Sequence, residues 1–264
     1  MATLQIVKIG GKVVDKPSAL KEVLYRFSRL PGKKILVHGG GKGASALAER
    51  LGIPTRMVEG RRITDAETLQ VAQMVYAGLL NTNIVAGLQA LKVNAMGMTG
   101  ADGNVILSQK RPVGAIDFGF VGDVQRVNVP FVKMLLEQQV VPVFCALTHD
   151  GQGQILNTNA DTIATELAVA LSPYFSTELI FTFEKDGVLR DVNDAHSVIN
   201  RLSHSEFLRL KKEGVIQEGM IPKLENAFRS LQKGVNKVRI LNALNLSAPE
   251  PDSGKPVGTT ITLE

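Results

Sequence analysis

Short apolar runs that end on glycine and then give way to a helical period leave this chain few folds to adopt. Residues 4–9 run into Gly10-Gly11, and residues 35–37 run into His38-Gly39-Gly40-Gly41. Comparable runs recur at 93–96, 140–145 and 179–183. Between them lie stretches of helical spacing: Leu20, Val23, Leu24 and Phe27 behind Ser18, and Leu47, Ala48 and Leu51 behind the second glycine run. Strands that do not alternate are buried on both faces, and strands separated by helices pair in parallel. The pattern therefore predicts an α/β fold, a mostly parallel sheet covered by helices on both sides. At 264 residues the chain has the length for one large domain or for two lobes of one fold. A second lobe is predicted to begin near Ser172-Pro173, giving residues 1–172 and 173–264, and a late strand at 259–263 is predicted to return to a sheet already built.

Composition narrows the function classes. Hydrophobic residues at 44% and charged residues at 21% are ordinary globular usage, which excludes disorder and coiled coil. No apolar run is expected to reach the roughly 20 residues of a membrane span. The N-terminus enters a strand at once, so no leader is expected either. A single cysteine, Cys145, excludes an internal disulfide and suits a reducing cytoplasm. The formal charge of +5 comes from scattered basic residues in a chain without Trp, which fits small anionic ligands and not nucleic acid.

Thr64-Asp65-Ala66-Glu67 has the form of a capping box, with Thr64 at the N-cap. The helix predicted after it carries Leu69, Val71, Ala72, Met74, Val75, Tyr76, Leu79 and Leu80, too much apolar surface for one buried stripe. It is either sandwiched in the core or also faces another subunit.

Several positions can carry chemistry. Gly10-Gly11 and His38 to Gly43 are glycine turns at strand carboxyl ends, where backbone N–H groups can approach an anion. The glycine spacing is not that of a Walker loop, and the same run serves as a permissive turn with no ligand. Lys8 ends an otherwise apolar strand. Lys223, in Gly219-Met220-Ile221-Pro222-Lys223, falls in the first turn of a helix, where a cation opposes the helix dipole. In Asn157-Thr158-Asn159-Ala160-Asp161, Asn159 is a good N-cap, and the dipole alone accounts for Asp161. Arg62 can fork a carboxylate, Cys145 reads as core, and the four histidines show no metal-ligand or nucleophile spacing.

Taken in order, Lys8-Ile9-Gly10-Gly11, His38-Gly39-Gly40-Gly41, residues 60–64, Gly100-Ala101-Asp102-Gly103, residues 157–161 and residues 219–223 resemble the amino acid kinase family over essentially the whole chain. The resemblance implies a three-layer α/β/α sandwich of two lobes, the second holding ATP. It implies phosphoryl transfer to the side-chain carboxylate of an N-acylated glutamate. N-acetyl-L-glutamate, the acceptor in arginine biosynthesis, is the first expectation. N-succinyl-L-glutamate, or another small carboxylate or carbamate, is the alternative. It gives Lys8 and Lys223 the charge on the moving phosphoryl group, and Asp161 the orientation of both. Gly40 and Gly41 would hold substrate through backbone N–H groups, with Arg62 and Asn157 on its α-carboxylate side. Gly10, Gly11, Glu184, Gly219, Met220 and Lys223 would line the nucleotide, with Mg²⁺ riding on the ATP phosphates and no protein metal site. The resemblance also implies a homodimer, here expected to be insensitive to arginine. Thr182-Phe183-Glu184-Lys185-Asp186-Gly187-Val188 departs from the family pattern, since Glu184 replaces an aspartate and Lys185 adds a cation. A succinyl group would need a further cation, for which Arg61 and Lys110-Arg111 are candidates. A catalytically inactive, ligand-sensing member should have lost a transfer residue, and Lys8, Asp161 and Lys223 are all present. A glutamate carboxylate, with a pKa of about 4.3, is already ionised at neutral pH, so the reaction needs charge cancellation and alignment, not a general base.

Overall fold

In the computed structural model, the described residues are 1–58, 61–216, 219–246 and 257–264. Gly60, the side chain of Arg61 and most of the proline-containing stretch before the last strand lie outside them. The strands are β1 (Thr3–Ile9), β2 (Lys33–His38), β3 (Met57–Val58), β4 (Arg61–Arg62), β5 (Ala95–Met98), β6 (Ile106–Lys110), β7 (Gly122–Val127), β8 (Val141–Cys145), β9 (Leu147–His149), β10 (Ile155–Asn157), β11 (Ser176–Phe183), β12 (Arg201–Ser203), β13 (Lys237–Asn242) and β14 (Thr259–Thr262). The helices are α1 (Gly11–Val14), α2 (Pro17–Ser28), α3 (Gly43–Arg50), α4 (Ala66–Ala72), α5 (Thr82–Ala90), α6 (Val129–Glu137), α7 (Ala160–Leu171), α8 (His204–Lys212) and α9 (Ile221–Gln232).

An eight-stranded sheet in the order β12-β14-β13-β11-β1-β2-β8-β5 forms the middle layer. Its pairings are parallel except for β13 with β14. Alternate residues of β1 feed two cores. Leu4 and Ile6 lie with Ile163 and Leu167 of α7, while Val7 and Ile9 lie with Val23, Leu24 and Phe27 of α2. Helices thus cover both faces, the predicted three-layer α/β/α arrangement. The order of strands reverses at β1, which has β2 on one side and β11 on the other. In open α/β sheets the carboxyl-end crevice at such a point is where ligands sit.

Three local expectations need correction. Thr64 does not cap the helix that follows; Asp65 does, its carboxylate accepting from the Thr68 N–H. Thr64 is instead buried, exchanging backbone hydrogen bonds with Phe118 and Phe120. The fifth strand begins at Ala95, not Val93, because Ala95 to Met98 are the residues in register with β8. Finally, α4, a π-helical segment Gln73–Asn81 and α5 form one continuous 25-residue helix, Ala66–Ala90, whose most apolar 18 residues have a mean hydropathy of 1.2. That is long and apolar enough to reach a membrane-spanning length, contrary to the sequence expectation. Val71, Val75, Tyr76, Ile84 and Leu88 bury one face of it in the core, and Met74 and Leu79 stay exposed on the other. A four-stranded sheet, β10-β9-β6-β7, was not foreseen and walls one side of the crevice.

Candidate active site

At the carboxyl end of β1, Lys8 points to the same face as Leu4 and Ile6, the face beneath α7. Asn159 caps α7 by accepting from the Asp161 and Thr162 N–H groups, which sets Asp161 in the first turn directly over the strand end. On the far side α9 begins with Pro222, in its second position, and brings in Lys223. The Asp161 carboxylate lies between the two ammonium groups, with Oδ1 2.9 Å from Lys8 Nζ and Oδ2 2.9 Å from Lys223 Nζ. Burial alone would raise the Asp161 pKa, but the charges of Lys8 and Lys223 outweigh it and hold the carboxyl well below the usual range. Burial lowers the Lys223 pKa; Asp161 opposes that shift and Lys8 adds to it. Lys223 Nζ also sits 5.5 Å from the centre of the Phe181 ring. Two cations share one anion, so the cluster retains a net positive charge for a ligand to meet.

This cluster opens into a cavity of about 270 Å³, lined by residues that include Lys8, Gly11, Gly40, Gly41, Arg62, Asn157 and Asp161. Positions far apart in sequence thus share one wall. Gly40 is glycine because the Tyr76 ring lies against it; an added Cβ would fall 1.5 Å from Tyr76 Cε1. Gly41 has φ +53°, and its Cβ would strike Asp15, whose carboxylate accepts from the Lys42 N–H. Gly11 and Gly41 touch back to back, an added Cβ on Gly11 lying 2.9 Å from Gly41 Cα. Arg62 donates to Ser45 Oγ at 2.7 Å and Thr55 Oγ1 at 3.3 Å, and Asn157 Nδ2 donates to Thr64 Oγ1 at 3.0 Å.

Two cavity residues take on more than the sequence reading gave them: Tyr76 appeared there only as helix core, and Arg111 only as a candidate cation for a succinyl carboxylate. Arg111 is not a solvated surface residue. It pairs through Nε and Nη2 with Asp123 and stacks 5.3 Å from the Phe118 ring, while its Nη1 is buried without a hydrogen-bond partner. Lys110 lies 4.7 Å over Phe120. The Arg61 side chain lies outside the described residues. Tyr76 carried no signal in the sequence beyond its place in an apolar helix.

The remaining predicted positions lie just past the carboxyl ends of β1 and β11 and in the turn before α9. Gly10 packs on Thr182, an added Cβ coming 3.0 Å from its carbonyl oxygen. Glu184 is ion-paired to Lys12 of α1; burial would raise its pKa, and that hydrogen bond outweighs the effect and lowers it. Met220 lines a narrow, mostly apolar slot of about 70 Å³ with Lys185, Val188, Leu189, Val215 and Ile216. Gly219 is exposed in the turn before α9, with open space where a Cβ would be. Cys145 is buried and its thiol is pushed up to about 12, mainly by that burial. Among the described residues no group of three His, Cys, Asp or Glu could hold a metal ion.

The sequence pattern of the amino acid kinase family matches residues 3–242. The chain belongs to that family. Among curated relatives of this amino acid kinase chain, the acetylglutamate kinase of Bacteroides fragilis is 57% identical over 251 residues, covering 95% of each chain. That of Cytophaga hutchinsonii is 51% identical over 262 residues, covering 99% of each. Among solved structures, N-acetylglutamate synthase from Neisseria gonorrhoeae superposes with a TM-score of 0.82 at 22% identity, over all of this chain and 60% of that one. Carbamate kinase from Giardia lamblia superposes with a TM-score of 0.69 at 14% identity over 100% and 99% of the two chains. Both share the amino acid kinase fold.

Proposed function

We propose that this chain transfers the γ-phosphoryl group of ATP to the side-chain carboxylate of N-acetyl-L-glutamate, making the acyl phosphate that arginine biosynthesis uses. The observation that carries the reading is the Lys8–Asp161–Lys223 cluster at the mouth of a cavity that also holds Arg62 and Asn157. The acceptor carboxylate arrives ionised, so no side chain has to remove a proton. Arg62 and Asn157 face the α-carboxylate side of the substrate, and the Gly40 and Gly41 amides hold its γ end. Lys8 and Lys223 neutralise charge on the phosphoryl oxygens as it moves, and Asp161 keeps both ammonium groups aimed inward. Bound ATP with Mg²⁺ supplies the phosphoryl group. Residues 173–264 form the nucleotide lobe, with the apolar slot at Met220 suited to a base and Gly10 and Gly11 beside the phosphates. Mg²⁺ rides on those phosphates with few protein ligands. The enzyme is a cytoplasmic homodimer, which the single buried thiol of Cys145 and the exposed face of the 66–90 helix support.

A second acceptor is favoured by one observation, the buried and unpartnered Nη1 of Arg111 in the cavity wall. N-succinyl-L-glutamate would bring a third carboxylate that this N–H could meet. One assay separates the readings. Purified protein, ATP and Mg²⁺ are incubated with N-acetyl-L-glutamate, N-succinyl-L-glutamate, glutamate or carbamate, and carboxyl phosphates are trapped as hydroxamates. Product with N-acetyl-L-glutamate above the others is expected. Arg62→Ala should then raise its KM with little change in kcat, because the α-carboxylate is charged alike in ground and transition states. A higher kcat/KM for N-succinyl-L-glutamate, abolished in Arg111→Ala, would establish the second reading instead.

A further inference from the structure

The glycine loop that faces the cavity is held from behind by a buried polar pair. His38, the last residue of β2, is fully buried, and its Nδ1 lies 3.0 Å from the Gly39 carbonyl oxygen. Its Nε2 lies 3.1 Å from Asn81 Nδ2, and that same amide nitrogen lies 3.0 Å from the Val143 carbonyl oxygen. A carbonyl only accepts, so the Asn81 atom facing Val143 must be the NH₂ group, and its second N–H is left to donate to His38. His38 Nε2 is then an acceptor, and the ring proton must sit on Nδ1 and point at Gly39. Burial holds the imidazole neutral by lowering its pKa to about 4.

The consequence passes through one peptide plane. A trans peptide sets its carbonyl and the following N–H on opposite sides. With the Gly39 carbonyl turned back onto the buried His38 ring, the Gly40 N–H is turned the other way, toward the cavity that Gly40 lines. Among the described residues no protein group accepts from that N–H. The front of the loop is fixed by the same helical segment. Tyr76, which lies against Gly40, and Asn81, which holds His38, are five residues apart in the π-helical stretch Gln73–Asn81. A π-helix hydrogen-bonds from i to i+5 and so stacks residues of that spacing, whereas an α-helix of 3.6 residues per turn points them well apart. Behind Asn81, Gly97 of β5 leaves the room its amide needs; an added Cβ there would lie 1.9 Å from Asn81 Oδ1.

We propose that His38 and Asn81 are positioning residues that set the orientation of the Gly40 N–H and thereby the affinity for the acceptor substrate. This rests on the reading of the cavity as the acylglutamate site. The test pairs kinetics with a measurement that needs no turnover. In ¹⁵N-histidine-labelled wild type, His38 should show the neutral Nδ1–H tautomer, and in Asn81→Leu this signature should give way to a tautomer mixture. In Asn81→Leu and His38→Leu the KM for N-acetyl-L-glutamate should rise about tenfold, the worth of one oriented hydrogen bond, with the KM for ATP within twofold of wild type. The double variant should cost no more than either single one. His38→Asn, whose amide can still donate to Gly39, should recover most of the affinity. A folded Asn81→Leu with unchanged acceptor KM, or an Nε2–H tautomer in wild type, would overturn the proposal. If wild type phosphorylates no acylglutamate, the functional reading fails, while the tautomer measurement still decides whether the pair orients the loop.

Discussion

At the scale of single residues, charge placement governs both activity and acid stability. On the proposed mechanism, in which each ammonium acts where charge moves, Lys8→Ala or Lys223→Ala should lower kcat by about 10²–10³ with the fold retained. Turnover and thermal melting measured together check this, and near-normal kcat in a folded variant would remove that lysine from the mechanism. His38 makes a different forecast. Its pKa falls from 6.5 to about 4 on folding, so the unfolded chain takes up the proton first as pH drops. Stability is full above about pH 6.5 and is lost as pH falls toward 4, by about 3 kcal/mol in total. Denaturant titrations at pH 7 and pH 5 should show the loss in wild type and little of it in His38→Asn; equal losses in both would assign it to other groups. The sequence announced Lys8, Lys223 and the glycine turns because each breaks a local rule. Asp161 broke none, as a helix N-terminus accounts for it; only the family resemblance singled it out, and the structure supplies the physical reason by setting Lys8 and Lys223 each 2.9 Å from its carboxylate.

Among the elements, α2 ends on a device that the sequence conceals. Lys34 begins an apolar strand and looks like a solvated end, yet its Nζ donates to the Phe27, Ser28 and Leu30 carbonyl oxygens at the carboxyl end of α2. Burial lowers its pKa, yet three carbonyls and the negative end of the helix dipole favour a cation there. Lys34→Met should therefore cost about 2 kcal/mol or more, because buried carbonyls lose their donor while the packing volume is kept. Chemical denaturation reads this directly, and a change within 0.5 kcal/mol, about the scatter of an ordinary surface substitution, would show that water replaces the ammonium. The central strands were legible because each is a continuous apolar run. The β10-β9-β6-β7 sheet was not, since β9 and β10 have three residues each and β7 mixes polar positions through its length. Runs so short carry no period, and their pairing is decided by tertiary contacts.

For the whole molecule, the apolar excess of the 66–90 helix was read from sequence as either core or contact surface, and it is divided between buried core and exposed face. Val75 and Tyr76 are buried, while Met74 and Leu79 are 51% and 58% exposed, with Tyr25 of α2 at 51%. An apolar cavity of about 870 Å³ lies along this face, between α2 and α5. On the proposed homodimer, Leu79→Glu should yield a monomer by light scattering; a wild type that is already monomeric would refute the assembly. The strand order carries a different consequence, for how the chain is made. β1 leaves the ribosome about 170 residues ahead of β11, yet Thr3 pairs with Ser176 and Lys8 with Phe181 on its β11 side. At synthesis rates of about 5–20 residues per second, that edge stays open for roughly 10–30 s. Throughout that interval the nascent chain presents a bare, apolar strand edge of the kind that recruits other chains. The yield of native protein should therefore depend on translation speed and chaperone supply as well as on the stability of the finished fold.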